Sequence, residues 1–177
     1  EAAFLVNNLP FLGMAFVTLW GVALPSLSEL VLDTTITVGE PFYNRVNGPI
    51  ILALLFLMAI GPLLPWRHAT WGSVRRAIFT PGLITLGITA VVAALGIDKP
   101  VVLIGVAVST LVAISVLQEW VRGTHARHRA TRESYPVAFL QLIVSNRPRY
   151  GGYVVHLAVL LIFVGFAGAA FELEETR

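Results

Sequence analysis

Five long stretches of this chain carry no charge, and no other feature constrains its fold as strongly. No Asp, Glu, Lys or Arg stands between Glu1 and Glu29, and the other charge-free runs are 46–66, 77–97, 100–118 and 150–171. Each is close to the roughly 20 residues that carry a helix, at about 1.5 Å per residue, across about 30 Å of hydrocarbon. A mean hydropathy of +0.81 and a charged fraction of 12% agree. Soluble domains carry about twice that charge. The expected fold is all-α: a polytopic transmembrane helix bundle, one transmembrane region over 1–177, with five spans at about 4–27, 49–66, 77–97, 100–121 and 150–171.

Between the spans the sequence predicts an outer loop at 28–48 and cytoplasmic loops at 67–76 and 122–149. Orientation follows from the basic residues. Arg67, Arg75, Arg76, Arg122, Arg127, Arg129, Arg132, Arg147 and Arg149 make nine on one side, against three, Arg45, Lys99 and Arg177, on the other. The nine are expected in the cytoplasm, which puts the N-terminus inside and the C-terminus outside. The same asymmetry explains a pI near 9.4. The partner it implies is a lipid bilayer, and no nucleic acid is expected.

Punctuation refines the picture. Gly48-Pro49 is expected to open the second span and Pro81 to sit in the first turn of the third, because proline there forfeits no helical hydrogen bond. Gly61-Pro62 and Pro65-Trp66 close the second span, and residues 97–100 form a turn. The β-branched run 34–39 suits an extended stretch or short strand. Residues 134–145 are apolar but too short to span, and Arg132 and Arg147 flank them. A short interfacial amphipathic helix is the simplest reading, and a re-entrant or buried loop helix is the alternative. With no cysteine in the chain, disulfides, thiolate metal sites and cysteine catalysis are excluded within it. The chain opens at Glu1 without a basic, cleavable leader and stops just past an apolar stretch, so it is expected to be an internal fragment of a longer protein.

An ionisable side chain inside a span is costly and so is a functional candidate. His156 is the one such residue, about 9 Å below the inner interface at helical rise. Three readings stand: a neutral histidine hydrogen-bonded between helices, a proton relay, or an axial ligand to haem iron. Gly165 and Gly168 on the same helix would let another element pack closely. His125 and His128 have an i, i+3 spacing that suits a metal, but further ligands are not evident and a solvated basic loop explains them. His68, beside Trp66-Arg67, suits a headgroup contact. Asn7 and Asn8 suit interhelical hydrogen bonds. The glycines of Tyr150-Gly151-Gly152 permit close backbone approach or a sharp bend, and Arg147 and Arg149 could pair with lipid phosphate or with a cofactor's carboxylates.

Several blocks carry a family resemblance. They are Asn7-Asn8-Leu9-Pro10-Phe11, Ile36-Thr37-Val38-Gly39-Glu40-Pro41-Phe42-Tyr43-Asn44, Gly61-Pro62-Leu63-Leu64-Pro65-Trp66-Arg67, and Asn146-Arg147-Pro148-Arg149-Tyr150-Gly151-Gly152-Tyr153-Val154-Val155-His156. In this order they resemble the CcmF family, the haem lyase subunits of bacterial cytochrome c maturation, within a superfamily that also holds NrfE and CcsA proteins. The resemblance implies a multi-pass protein of the bacterial inner membrane with a periplasmic C-terminus. It implies receipt of haem from the chaperone CcmE, attachment to the Cys-x-x-Cys-His motif of apocytochrome c, and work alongside CcmH-type subunits. It also implies a haem b held in the membrane by two histidines, the second of which matches His156, so that His156 is the expected cofactor and haem-iron ligand. The family's Trp-rich haem segment, its flanking histidines and the partner transmembrane histidine have no counterpart here; they are expected to precede Glu1. No catalytic residue is therefore expected within this chain. The alternatives are a segment of a secondary transporter, with broken spans near Gly61-Pro62 and Gly96, or a non-catalytic membrane assembly subunit.

Overall fold

A computed structural model describes the chain over residues 2–63 and 71–175, with side chains over 8–63, 72 and 74–168. Six α-helices occupy nearly all of it, and no strand occurs among the described residues: α1 (Ala2–Leu32), α2 (Glu40–Ile60), α3 (Trp71–Ala94), α4 (Pro100–Thr131), α5 (Tyr135–Ser145) and α6 (Arg147–Glu175), with a 3-10 turn at Gly61–Leu63. Five of the helices are long and apolar enough to cross a membrane, and α5 is the short one. This is an all-α, multi-pass membrane architecture. Trp66, Arg67 and His68, with the interfacial roles expected for them, lie outside the described residues.

The chain divides into two compact units, Glu1–Leu57 and Met58–Arg177. In the first, α1 continues past its apolar run to Leu32, and α2 begins at Glu40. The link between them is therefore only residues 33–39. It forms neither helix nor strand, and Ser28 pins it. The Ser28 hydroxyl donates to the Pro25 carbonyl at 2.9 Å and accepts the Ile36 N–H at 2.8 Å. Asp33 turns the chain with φ 51. Pro49 does not open α2 but lies inside it. Pro41 takes the early-turn place instead, directly after Glu40, whose negative charge suits a helix N-terminus. Gly21 of α1 is the close-packed glycine here: a Cβ added to it would overlap the Tyr43 hydroxyl.

In the second unit α4 is central, packing against α3, α5, α6 and the 3-10 turn. Helices α3 and α4 form a hairpin. Gly96, at φ +97, ends the first in a conformation that suits glycine, and Pro100 starts the second. Pro81 is likewise not in the first turn of α3, because the helix starts ten residues earlier at Trp71. A proline inside a helix leaves the carbonyl four residues before it without an N–H partner. Here that carbonyl is Ala77, and the Gln118 side-chain amide of α4 donates to it at 3.1 Å.

At 32 residues α4 runs about 48 Å, well beyond a hydrocarbon core. Its last turns are the first part of the expected loop at 122–149. That loop is thus largely helical, because its arginines and histidines are good enough helix formers once water or partners satisfy their side chains. The chain reverses at Arg132, whose φ of 58 is left-handed, and α5 folds back onto α4 and α6. Ala138 is fully buried in that contact, Phe139 meets the Trp120 ring edge-on at 5.8 Å, and Leu142 and Ile143 pack against Val116, Tyr150 and Tyr153.

Candidate functional site

The site is built on the first four turns of α6. Tyr150, Tyr153, Leu157 and Leu160 recur at helical spacing and turn inward. Tyr150, Tyr153 and Leu160 are 4–7% exposed, and Leu157 packs on the core formed with Val116 of α4. His156 lies at the edge of that face, half-buried. Its Nδ1 stands 2.7 Å from the Gly152 carbonyl oxygen, and the Tyr153 ring lies edge-on at 6.3 Å. A carbonyl only accepts, so the nitrogen facing it carries the proton. In a neutral imidazole the lone pair is then on Nε2, which makes no hydrogen bond among the described residues.

One turn back, Arg149 and Tyr153 continue the same side of α6 as His156, at i, i+4 and i+7. The Arg149 guanidinium donates through Nη2 to Glu119 Oε2 of α4 at 2.7 Å and through Nε to the Tyr153 hydroxyl at 3.1 Å. That hydroxyl donates in turn to Glu119 Oε2 at 3.5 Å. Arg122 lies 3.8 Å from the other Glu119 oxygen. The Glu119 side chain is only 12% exposed, so this cluster fixes the rotation of α6 against α4 at the turn below His156. Arg149, which the sequence alone offers to lipid phosphate or a cofactor's carboxylates, is bonded within the chain to Glu119 and Tyr153 while its side chain stays half-exposed.

Gly123 makes the helix crossing possible. A Cβ there would overlap the Tyr150 hydroxyl and come within 2.8 Å of Leu142 Cδ2. At Gly151, Gly152, Gly165 and Gly168 an added Cβ would meet nothing within 4 Å among the described residues, so the neighbour expected there is not part of the described chain. Gly151 and Gly152 also form no bend, since α6 is already helical from Arg147.

His125 and His128 are not in a solvated loop but on the last turns of α4, where both rings meet Tyr135. His128 stacks on it at 4.1 Å and donates from Nδ1–H to the Glu133 carbonyl at 2.6 Å, which makes Nδ1 the protonated nitrogen. His125 Nδ1 lies 3.3 Å from the Tyr135 hydroxyl. Arg127 grips the Glu133 carboxylate at 2.8 and 3.2 Å. Those hydrogen bonds hold the Glu133 carboxyl below the usual carboxylate range, against the opposing effect of desolvation and with smaller help from Thr131 and the Arg127 charge. No group of three metal-binding side chains occurs among the described residues. Asn8 is exposed, and the side chain of Asn7 lies outside the described residues.

Sequence reasoning missed Glu119, Gln118 and Gly123. One signal was available: a carboxylate and an amide adjacent to each other at the end of an apolar run, where each needs a partner.

No family model matches the chain, and no solved structure matches it significantly. Curated proteins do. The chain is 29% identical over 107 residues to the cytochrome c-type biogenesis protein ccl1 of Rhodobacter capsulatus, covering 60% of the chain and 16% of that protein. It is 27% identical to the cytochrome c-type biogenesis protein CycK of Rhizobium meliloti, covering 98% of the chain and 25% of the relative. It is 26% identical to the cytochrome c-type biogenesis protein CcmF of Haemophilus influenzae, covering 94% of the chain and 25% of the relative. The chain therefore spans a quarter or less of the length of these relatives. Its five membrane-compatible helices and this set of matches are those of a CcmF-like fragment, similar to a part of the cytochrome c-type biogenesis proteins.

Proposed function

We propose that the chain is part of a cytochrome c maturation haem lyase of the bacterial inner membrane, and that His156 is one axial ligand of a haem b within it. One observation carries the reading. His156 is a half-buried imidazole in an apolar helix, with Nδ1–H tied to the Gly152 carbonyl and Nε2 left as the lone-pair nitrogen. A second-nitrogen hydrogen bond of this kind fixes tautomer and ring orientation in metal-binding histidines.

The donor set fits one axial position of a haem. Val155 and Val159, one residue before and three after His156 on α6, are apolar and exposed on the helix surface, as a porphyrin edge requires. His125 and His128 are engaged with Tyr135 and Glu133, so the second ligand is assigned to another part of the longer protein. A bound haem would supply a redox-active iron. The chain's own residues orient and hold: Gly152 sets the imidazole, and Arg149, Tyr153 and Glu119 set the helix that carries it. Haem receipt from CcmE, attachment to apocytochrome c and cooperation with CcmH-type subunits belong to the proposal for the whole protein. No catalytic residue is assigned within this chain.

In the longer protein that contains this sequence, His156→Ala is expected to weaken or remove a low-spin haem b absorbance, and His125→Ala and His128→Ala to leave it. An unchanged bis-histidine spectrum in His156→Ala would return His156 to a packing role. The proposed orientation puts 122–149 in the cytoplasm; a reporter fused after Gly123 that signals from the periplasm would overturn it and the depth assigned to His156.

A further inference from the structure

Helix α5 has two apolar faces, and only one is used among the described residues. Ala138, Phe139, Leu142 and Ile143 pack inward. On the other side Val137, Leu140 and Val144 recur at i, i+3 and i+7 and are 46%, 61% and 53% exposed. Charge around this face is one-sided. Between residues 100 and 168 there are two carboxylates, Glu119 and Glu133, and six arginines. Both carboxylates are already bonded, Glu119 by Arg149 and Glu133 by Arg127. The side chains of Arg129, Arg132 and Arg147 are exposed and make no hydrogen bond or ion pair among the described residues. They bracket α5, with Arg129 and Arg132 before it and Arg147 directly after its C-cap, Asn146.

We propose that the outer face of α5 and the three unpaired arginines around it form a docking surface for anionic phospholipid. The acyl region takes Val137, Leu140 and Val144, and the headgroup phosphates take the guanidinium groups. Two features select a lipid leaflet over a free anion. The arginines are spread over a helix about 16 Å long, too far apart to converge on one phosphate. They also flank an apolar face, which a soluble anion would leave in water. Arginine suits the task because its planar fork bonds phosphate oxygens bidentately. The inference is independent of haem binding: it concerns different residues and a different ligand.

The test uses the full chain reconstituted in phosphatidylcholine vesicles, with trace spin-labelled phosphatidylglycerol or phosphatidylcholine as the probe. The motionally restricted fraction is expected to favour phosphatidylglycerol by at least about twofold and to lose that preference in about 0.5 M salt. R129Q/R132Q/R147Q should abolish it. R129K/R132K/R147K should keep most of it, which separates lost charge from lost fold, and R45Q should not change it. A nitroxide on Leu140→Cys should collide with oxygen more than with a water-soluble relaxant. A preference that survives the triple glutamine variant, one that inorganic phosphate removes at matched ionic strength, or a Leu140 label bathed in water or shielded from both relaxants would each overturn the proposal.

Discussion

The side chain of Gln118 supplies the hydrogen bond that Pro81 withholds from its own helix. Its amide donates at 3.1 Å to the Ala77 carbonyl, four residues before the proline. Pro81 is fully buried, so water is poorly placed to satisfy that carbonyl instead. A helix break in α3 is thereby turned into a link to α4.

The two residues should be energetically coupled. Gln118→Leu leaves a buried carbonyl unpaired and is expected to cost about 1–2 kcal/mol, while membrane interhelical bonds average nearer 0.6. In a Pro81→Ala background residue 81 regains its N–H and bonds Ala77 itself. Gln118→Leu should then be nearly neutral. A double-mutant cycle on unfolding in mixed micelles checks this; additive effects would mean that Gln118 serves only packing.

Gly123 should tolerate no side chain. Gly123→Val forces its methyls into Tyr150 and Leu142 and is expected to cost about 1–3 kcal/mol. Gly123→Ala should cost less, and Tyr150→Phe should recover part of that loss by removing the overlapped hydroxyl. Thermal denaturation of the single and double variants measures both effects. Gly165→Ala and Gly168→Ala should be harmless or slightly stabilising, since glycine is the poorer helix former.

The turn between α4 and α5 should loosen in acid. The Arg127 hydrogen bonds lower the Glu133 pKa in the folded state, so their stabilisation is present above the ordinary carboxylate value. It is lost as pH falls through the depressed folded value. Hydrogen exchange of the amides at 132–138, corrected for intrinsic rates, should show protection falling in that window. Arg127→Gln should remove the pH dependence and leave lower protection throughout.

How much of this was legible from residues alone divides along physical lines. The five helices were, because a charge in hydrocarbon is costly and its absence over about 20 residues is a strong signal. Their ends were not. Helix α4 runs through Arg122, Arg127 and Arg129 to Thr131, since a helix does not stop where lipid does. The positions of Pro49 and Pro81 were misjudged for a related reason. Proline is free of cost in a first turn, but here a distant amide covers the cost of one in the interior. His156 stood out because it is ionisable within an apolar run. Glu119 did not, because its partner Arg149 is 30 residues away and only the folded crossing joins them. Glycine spacing pointed at Gly165 and Gly168, whereas the crowded glycines among the described residues are Gly21 and Gly123, each identified by the tyrosine that stands opposite it.

The unbroken length of α4 makes this part of the protein intolerant of insertions and deletions. Gln118 meets α3, while Glu119 and Gly123 meet α6 and α5, all on one continuous helix. One residue inserted between Gln118 and Glu119 would turn everything beyond it by about 100° and advance it by about 1.5 Å. Gln118 would keep its carbonyl, but Glu119 would swing away from Arg149, and a side chain would rotate into the place of Gly123. Length variation in such a protein belongs at 33–39 or 95–99, where the chain already leaves the helix and carries no phase from one contact to the next.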